Sequence, residues 1–118
     1  MRKLILAAAA ALVLHSGMAL AAGAIAVDDE EGVSASEVGY GVGTGSTRDE
    51  AGADAMRECK KAGNKGCKVA VRYDTCGAYA GSRSSYAIGY GKTESAAKSM
   101  ALDACGSGCK IVVADCDN

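Results

Sequence analysis

Residues 39 to 59 return at residues 85 to 105: sliding the chain against itself by 46 positions aligns the two stretches without a gap. Seven of the 21 pairs are identical, namely Tyr40/Tyr86, Gly43/Gly89, Gly45/Gly91, Thr47/Thr93, Ala51/Ala97, Ala55/Ala101 and Cys59/Cys105. After a loop of unequal length the match resumes, with Gly66-Cys67-Lys68-Val69 facing Gly108-Cys109-Lys110-Ile111. Upstream, Gly23-Ala24-Ile25-Ala26 is similar to Gly77-Ala78-Tyr79-Ala80 if the first copy carries eight extra residues. That insertion holds the acidic run Asp28-Asp29-Glu30-Glu31. A chain of this kind is expected to fold as two versions of one small unit. Copy one spans 22–75 and copy two 76–117, within a single domain of residues 22–118.

Each copy reads as two short strands, a helix and a third strand. Residues 38 to 45 and 85 to 91 alternate small and larger side chains with the period of a strand. Thr47 opens a helix with Glu50 three places on, the spacing of a capping box, and Thr93 takes the same position in copy two without an acidic partner. Ala51, Ala55 and Cys59, and again Ala97, Ala101 and Cys105, recur every four residues, which gives each helix a narrow stripe of small side chains. The third strands are Lys68 to Tyr73 and Lys110 to Ala114. The fold class is therefore α+β: a small disulfide-stabilised domain from a duplicated strand-strand-helix-strand unit.

Gly39, Gly41, Gly43 and Gly45 alternate along one strand face, as do Ala87, Gly89 and Gly91, so a helix can lie unusually close to the sheet there. The opposite face carries Tyr40, Val42 and Thr44 in one copy and Tyr86, Ile88 and Tyr90 in the other. Such a face is either a second core layer, which the size of the chain favours, or a binding surface.

The start of the chain has the pattern of a secretion signal over residues 1–21. Arg2 and Lys3 are followed by an apolar run from Leu4 to Leu14 and by Ala19-Leu20-Ala21 as the cleavage site. An uncleaved anchor is the competing reading, because only His15 and Ser16 interrupt the apolar stretch through residue 27. Removing Arg2 and Lys3 moves the net charge from −1 to −3, against nonspecific attraction to nucleic acid. The chain has no Phe and no Trp, and much of its apolar content is alanine, so its core supplies little buried area. The even set Cys59, Cys67, Cys76, Cys105, Cys109 and Cys116 is expected to compensate as disulfides. If equivalent cysteines make equivalent bonds, Cys59 pairs with Cys67 and Cys105 with Cys109. Cys76 is then left to join Cys116, as a link between the ends of equivalent third strands.

The Gly-Ala-Ile-Ala start, the Gly- and Tyr-bearing strand, the Thr-capped helix ending in Cys59, the Cys67 that opens a Val-rich strand and then Cys76-Gly77-Ala78-Tyr79-Ala80 together resemble a family. It is the bacterial secreted family called domain of unknown function 4189, and the similarity covers residues 22 to 117. The resemblance implies export and a compact disulfide-bonded fold, and it implies no particular activity. Ala22 stands where an aromatic residue often precedes the first Gly-Ala of that family, and the acidic insertion is a second departure.

The residues offer little for catalysis. The only histidine, His15, lies in the signal, which removes serine and cysteine nucleophile systems built on histidine and the commonest zinc ligand. Six cysteines could hold zinc as thiolates, but an oxidising compartment favours disulfides. Cys105-Gly106-Ser107-Gly108-Cys109 has one residue too many for a redox pair, and its first cysteine ends a helix where the dipole disfavours a thiolate. The alternating glycines before the first helix lack the spacing of a nucleotide loop, and the acidic run lacks that of a calcium loop, so it reads as a solvated hairpin tip.

Two binding surfaces remain. One is tyrosine-based, with Tyr40, Tyr86 and Tyr90. The other is a basic cluster of Arg57, Lys60, Lys61, Lys65 and Lys68 at the end of the first helix, which could meet an anionic partner or serve only the helix dipole. The expected function is that of a secreted or periplasmic non-catalytic interaction protein, effector- or inhibitor-like, acting on an unknown protein or envelope component. It is expected to need no cofactor and no metal, and to take no nucleic acid and no membrane span once the signal is cleaved. The alternatives are an envelope-polymer or anionic-ligand module working through the basic cluster, and a small histidine-free hydrolase.

Overall fold

The computed structural model describes residues 21–29 and 32–117. The expected signal, apart from its last residue, lies outside the described residues, as do Glu30 and Glu31. The elements are β1 (Ala22–Asp28), β2 (Gly39–Gly45), α1 (Arg48–Lys61), β3 (Lys68–Tyr73), β4 (Cys76–Gly81), β5 (Tyr86–Gly91), α2 (Glu94–Cys105) and β6 (Lys110–Cys116), with a single 3-10 turn at Ala35–Glu37. They form two antiparallel three-stranded sheets, ordered β2-β1-β3 and β5-β4-β6.

The two sheets share one register. Ala22 faces Gly45 as Cys76 faces Gly91, and Gly23 faces Tyr73 as Gly77 faces Asp115. Each also carries a bulge at the same place, between Ile25 and Ala26 in one and between Tyr79 and Ala80 in the other. An extra residue in a strand reverses which face its neighbours occupy. Val69 thus packs towards α1 while Val71, two positions on, enters the core between the sheets. The structure is two similar units of strand, strand, helix and strand, as the repeat requires.

Thr47 caps α1 by accepting the Glu50 N–H at 3.1 Å, and Thr93 caps α2 by accepting the Ala96 N–H at 3.0 Å. The Glu50 carboxylate reaches back one residue further than a capping box predicts, to the backbone and hydroxyl of Ser46. The glycine stripes lie directly beneath the helices. A Cβ on Gly43 would stand 2.1 Å from the Ala55 nitrogen, and one on Gly89 2.1 Å from the Ala97 oxygen. Only a strand without side chains on that face lets the helix settle so deep.

The layers follow from the alternation along β1 and β4. Ala22, Ala24 and Ala26 pack on Ala51, Ala55 and Cys59, and Cys76, Ala78 and Ala80 pack on Ala97, Ala101 and Cys105. The opposite faces of the sheets meet each other through Ile25, Val27, Val71, Tyr73 and Tyr79. The order is helix, sheet, sheet, helix, with the larger side chains in the middle.

Three disulfides are present, Cys59–Cys67, Cys105–Cys109 and Cys76–Cys116. The first two tie each helix end to the strand that follows. The third corrects the expected geometry, because Cys76 opens β4 rather than closing a third strand. Its bond to Cys116 joins facing residues of neighbouring strands inside copy two, with Cα atoms 4.0 Å apart. The register puts Ala22 and Asp74 at the matching places in copy one, so this staple has no counterpart there.

The acidic insertion is also more than a solvated tip. Asp28 accepts the Gly66 N–H at 3.2 Å, Asp29 accepts the Tyr79 hydroxyl, and Arg83 donates to the Gly32 carbonyl at 2.8 Å. Val33 and Val38 pack against the central core. The segment therefore laces copy one to copy two.

Candidate functional site

The strand face that could have been core or surface is divided between the two. Val42 and Ile88 pack into the core between the sheets, whereas Tyr40, Tyr86 and Tyr90 are 42%, 62% and 54% exposed. They do not form one patch. Tyr86 faces Gly81 at one end of β5, where its ring stacks on buried Tyr79 with centroids 6.0 Å apart. Tyr90 faces Gly77 near the other end, and Tyr40 belongs to the other sheet beside Val27. The remaining tyrosines, Tyr73 and Tyr79, are buried, and burial together with bonds to Asp115 and Asp29 raises both phenol pKa values far above the ordinary one.

The basic cluster is partly neutralised within its own helix. Arg57 pairs with Asp54 at 3.1 Å and Lys61 with Glu58 at 3.6 Å. Asp54 also accepts the Thr44 N–H at 3.0 Å, and that bond first, with Arg57 second, holds its carboxyl below the usual range. Lys60, Lys65 and Lys68 are exposed and make no ion pair among the described residues.

A concave feature lies elsewhere, where the end of copy one meets the start of copy two. It is an open groove of about 600 Å³, with Arg48, Arg72 and Asp74 from copy one and Tyr90 and Lys92 from copy two along its walls. Arg48 grips Asp74 through two hydrogen bonds of 3.1 and 2.9 Å, which hold the Asp74 carboxyl below its ordinary pKa. The side chains of Arg72 and Lys92 make no hydrogen bond or ion pair among the described residues. The Arg72 guanidinium rests against α1 at Gly52, where a Cβ would stand 2.9 Å from its Nε.

Of the candidate binding residues and cysteines singled out from the sequence, Tyr90 and Cys76 line this groove, beside Gly91 of the glycine stripe. Arg48, Arg72, Asp74 and Lys92 were missed, although a signal existed in the repeat. Matched through the shared register, their places in the other copy are taken by Glu94, Ala114, Cys116 and Ser46, and that of Tyr90 by Thr44. The groove side chains are thus the ones that the duplicated frame does not repeat.

Among the described residues no three His, Cys, Asp or Glu side chains are grouped to hold a metal, and no helix is long and apolar enough to cross a membrane. What the surface offers is two unpaired cations beside an exposed ring, and three exposed lysines at the far end of α1. No curated protein and no solved structure matches the chain. The model of the family described as Domain of unknown function (DUF4189) matches residues 22–116, nearly the whole of the two-sheet frame, and the chain belongs to that family.

Proposed function

We propose that this is an exported bacterial protein, secreted or periplasmic, that acts by binding another macromolecule and catalyses nothing. The observation that carries this reading is the division of its side chains. The cysteines are all in disulfides and the buried tyrosines serve packing, while Tyr40, Tyr86 and Tyr90 stand exposed on strands. Tyrosine on rigid backbone supplies contact area with a polar tip at small entropic cost, which suits recognition. Three disulfides also fit an oxidising compartment outside the cytoplasm.

The reading through Arg57, Lys60, Lys61, Lys65 and Lys68 has less support, since two of the five are paired within the helix. Salt separates the two. Capture of an envelope component by the disulfide-bonded chain should persist from low to moderate salt and fall on replacing Tyr86 and Tyr90 by Ser. Capture that is lost with salt, and lost equally on changing Lys60, Lys65 and Lys68 to Gln, would favour the helix-end cluster instead.

A further inference from the structure

The groove between the copies deepens that reading, and any role for it as a site rests on the protein acting by binding. We infer that the groove lined by Arg48, Arg72, Tyr90 and Lys92 is a binding site for an acidic oligosaccharide, a sugar chain carrying carboxylates.

Copy two is an internal control for what the fold requires. It builds the same sheet, bulge and capped helix with Glu94 where copy one has Arg48 and Ala114 where it has Arg72. Copy one in turn builds its strand with Thr44 and Ser46 where copy two has Tyr90 and Lys92. Each unit thus has the same architecture without the other's set. Yet the connection from β3 to β4 brings the four long side chains to one groove, three of them cationic against the single carboxylate of Asp74. That carboxylate is already spent on Arg48, so the unmet positive charge belongs to Arg72 and Lys92.

Arg72 is also placed at a cost. Gly52 sits buried inside α1, where glycine is less favourable than alanine. The place of Gly52 in copy two is held by Lys98, so the helix does not demand glycine there. What glycine permits is the guanidinium lying against the helix, on a side chain that lines the groove.

The ligand class follows from the lining. A guanidinium with free N–H groups matches a carboxylate in bidentate geometry, Lys92 adds a point charge, and the exposed Tyr90 ring offers a flat face for a sugar ring. At about 600 Å³ the groove has room for more than a lone anion, and it is open, as suits a segment of polymer rather than an enclosed small molecule.

Titration of the disulfide-bonded chain with trigalacturonate, followed calorimetrically and by amide chemical shifts, tests the site. Maltotriose, inorganic phosphate and adenosine monophosphate serve as comparison ligands. Trigalacturonate should bind with shifts confined to the groove, while uncharged maltotriose should bind at least tenfold more weakly. Arg72→Gln and Tyr90→Ser should each weaken trigalacturonate about tenfold, and Lys110→Gln should leave it unchanged. Gly52→Ala guards against misfolding, because it favours the helix yet displaces the guanidinium; it should keep the melting temperature and still lose affinity. Equal binding of maltotriose, tighter binding of phosphate or the nucleotide, or indifference to both Arg72→Gln and Gly52→Ala would overturn the assignment. Absence of trigalacturonate binding alongside retained capture of an envelope component would defeat this site and leave the broader binding reading standing.

Discussion

The Tyr73 hydroxyl donates to a carboxylate oxygen of Asp115 at 2.8 Å, and the two residues occupy the same place in the two copies, each facing the second residue of its central strand. The Tyr73 ring is wedged between those partners. A Cβ on Gly23 would stand 2.3 Å from it and a Cβ on Gly77 2.2 Å. One aromatic residue therefore occupies the junction that the repeat would otherwise fill twice, and its hydroxyl closes the contact with the residue it displaced.

Tyr73→Phe keeps the ring and removes that bond, so it should cost roughly 1–2 kcal/mol in denaturant unfolding. Gly77→Ala should cost more, because the added methyl group meets the face of a ring that is itself clamped on the other side. Equal stability of Gly77→Ala and the parent would mean that the ring does not hold the junction.

The disulfides should differ in weight. Cys76–Cys116 closes a separation of 40 residues, against 8 for Cys59–Cys67 and 4 for Cys105–Cys109. Loop entropy assigns about 4 kcal/mol to the first and about 2 kcal/mol to the last. Replacing Cys76 and Cys116 together by Ala should therefore lower the denaturation midpoint most, and copy two should lose more order in hydrogen exchange than copy one.

Stability should be flat from pH 6 to 8 and decline above about pH 10. Tyr73 and Tyr79 have raised pKa values in the fold, mainly from burial. A raised value means that their contribution is complete below the ordinary phenol pKa and is lost as pH rises past it. On the acid side Glu50, Asp54 and Asp74 are lowered by hydrogen bonds from Ser46, Thr44 and Arg48 respectively, so their contributions persist above the ordinary carboxyl range and fade as pH falls through it. Thermal melts across pH 3 to 12 would read both limbs.

Tyr40→Ser and Tyr90→Ser should each change stability by no more than about 0.5 kcal/mol, as expected of exposed side chains outside the core. Tyr86→Ser should cost about 1 kcal/mol, since it also loses the stack on Tyr79. Early melting of Tyr90→Ser would place that ring in the core and remove it from any binding face.

The duplicated frame was legible because a helix resting on a strand needs the same small residues in both copies, and Gly43/Gly89 and Ala55/Ala101 repeat for that reason. The bulges were not, since both copies carry the same one-residue slip and β3 therefore still matches β6 at a constant spacing of 42. The local matches already set Ala22 against Cys76 and Asp74 against Cys116, and the true setting of the third disulfide was missed because Cys76 was read as the end of a third strand rather than the start of β4. The groove was invisible for a related reason. Similarity finds what the copies share, and Arg48, Arg72, Tyr90 and Lys92 are where they differ.

Binding without chemistry can be read in a single incubation of the disulfide-bonded chain with a washed envelope fraction of the producing cell. Bound chain is measured by sedimentation, and fragments released into the soluble phase by mass spectrometry over hours. Saturable retention with an unchanged soluble phase is the predicted result. Fragments that accumulate with time in proportion to the chain added, and that disappear when it is reduced and unfolded, would show turnover and contradict the reading of this protein as a binding module.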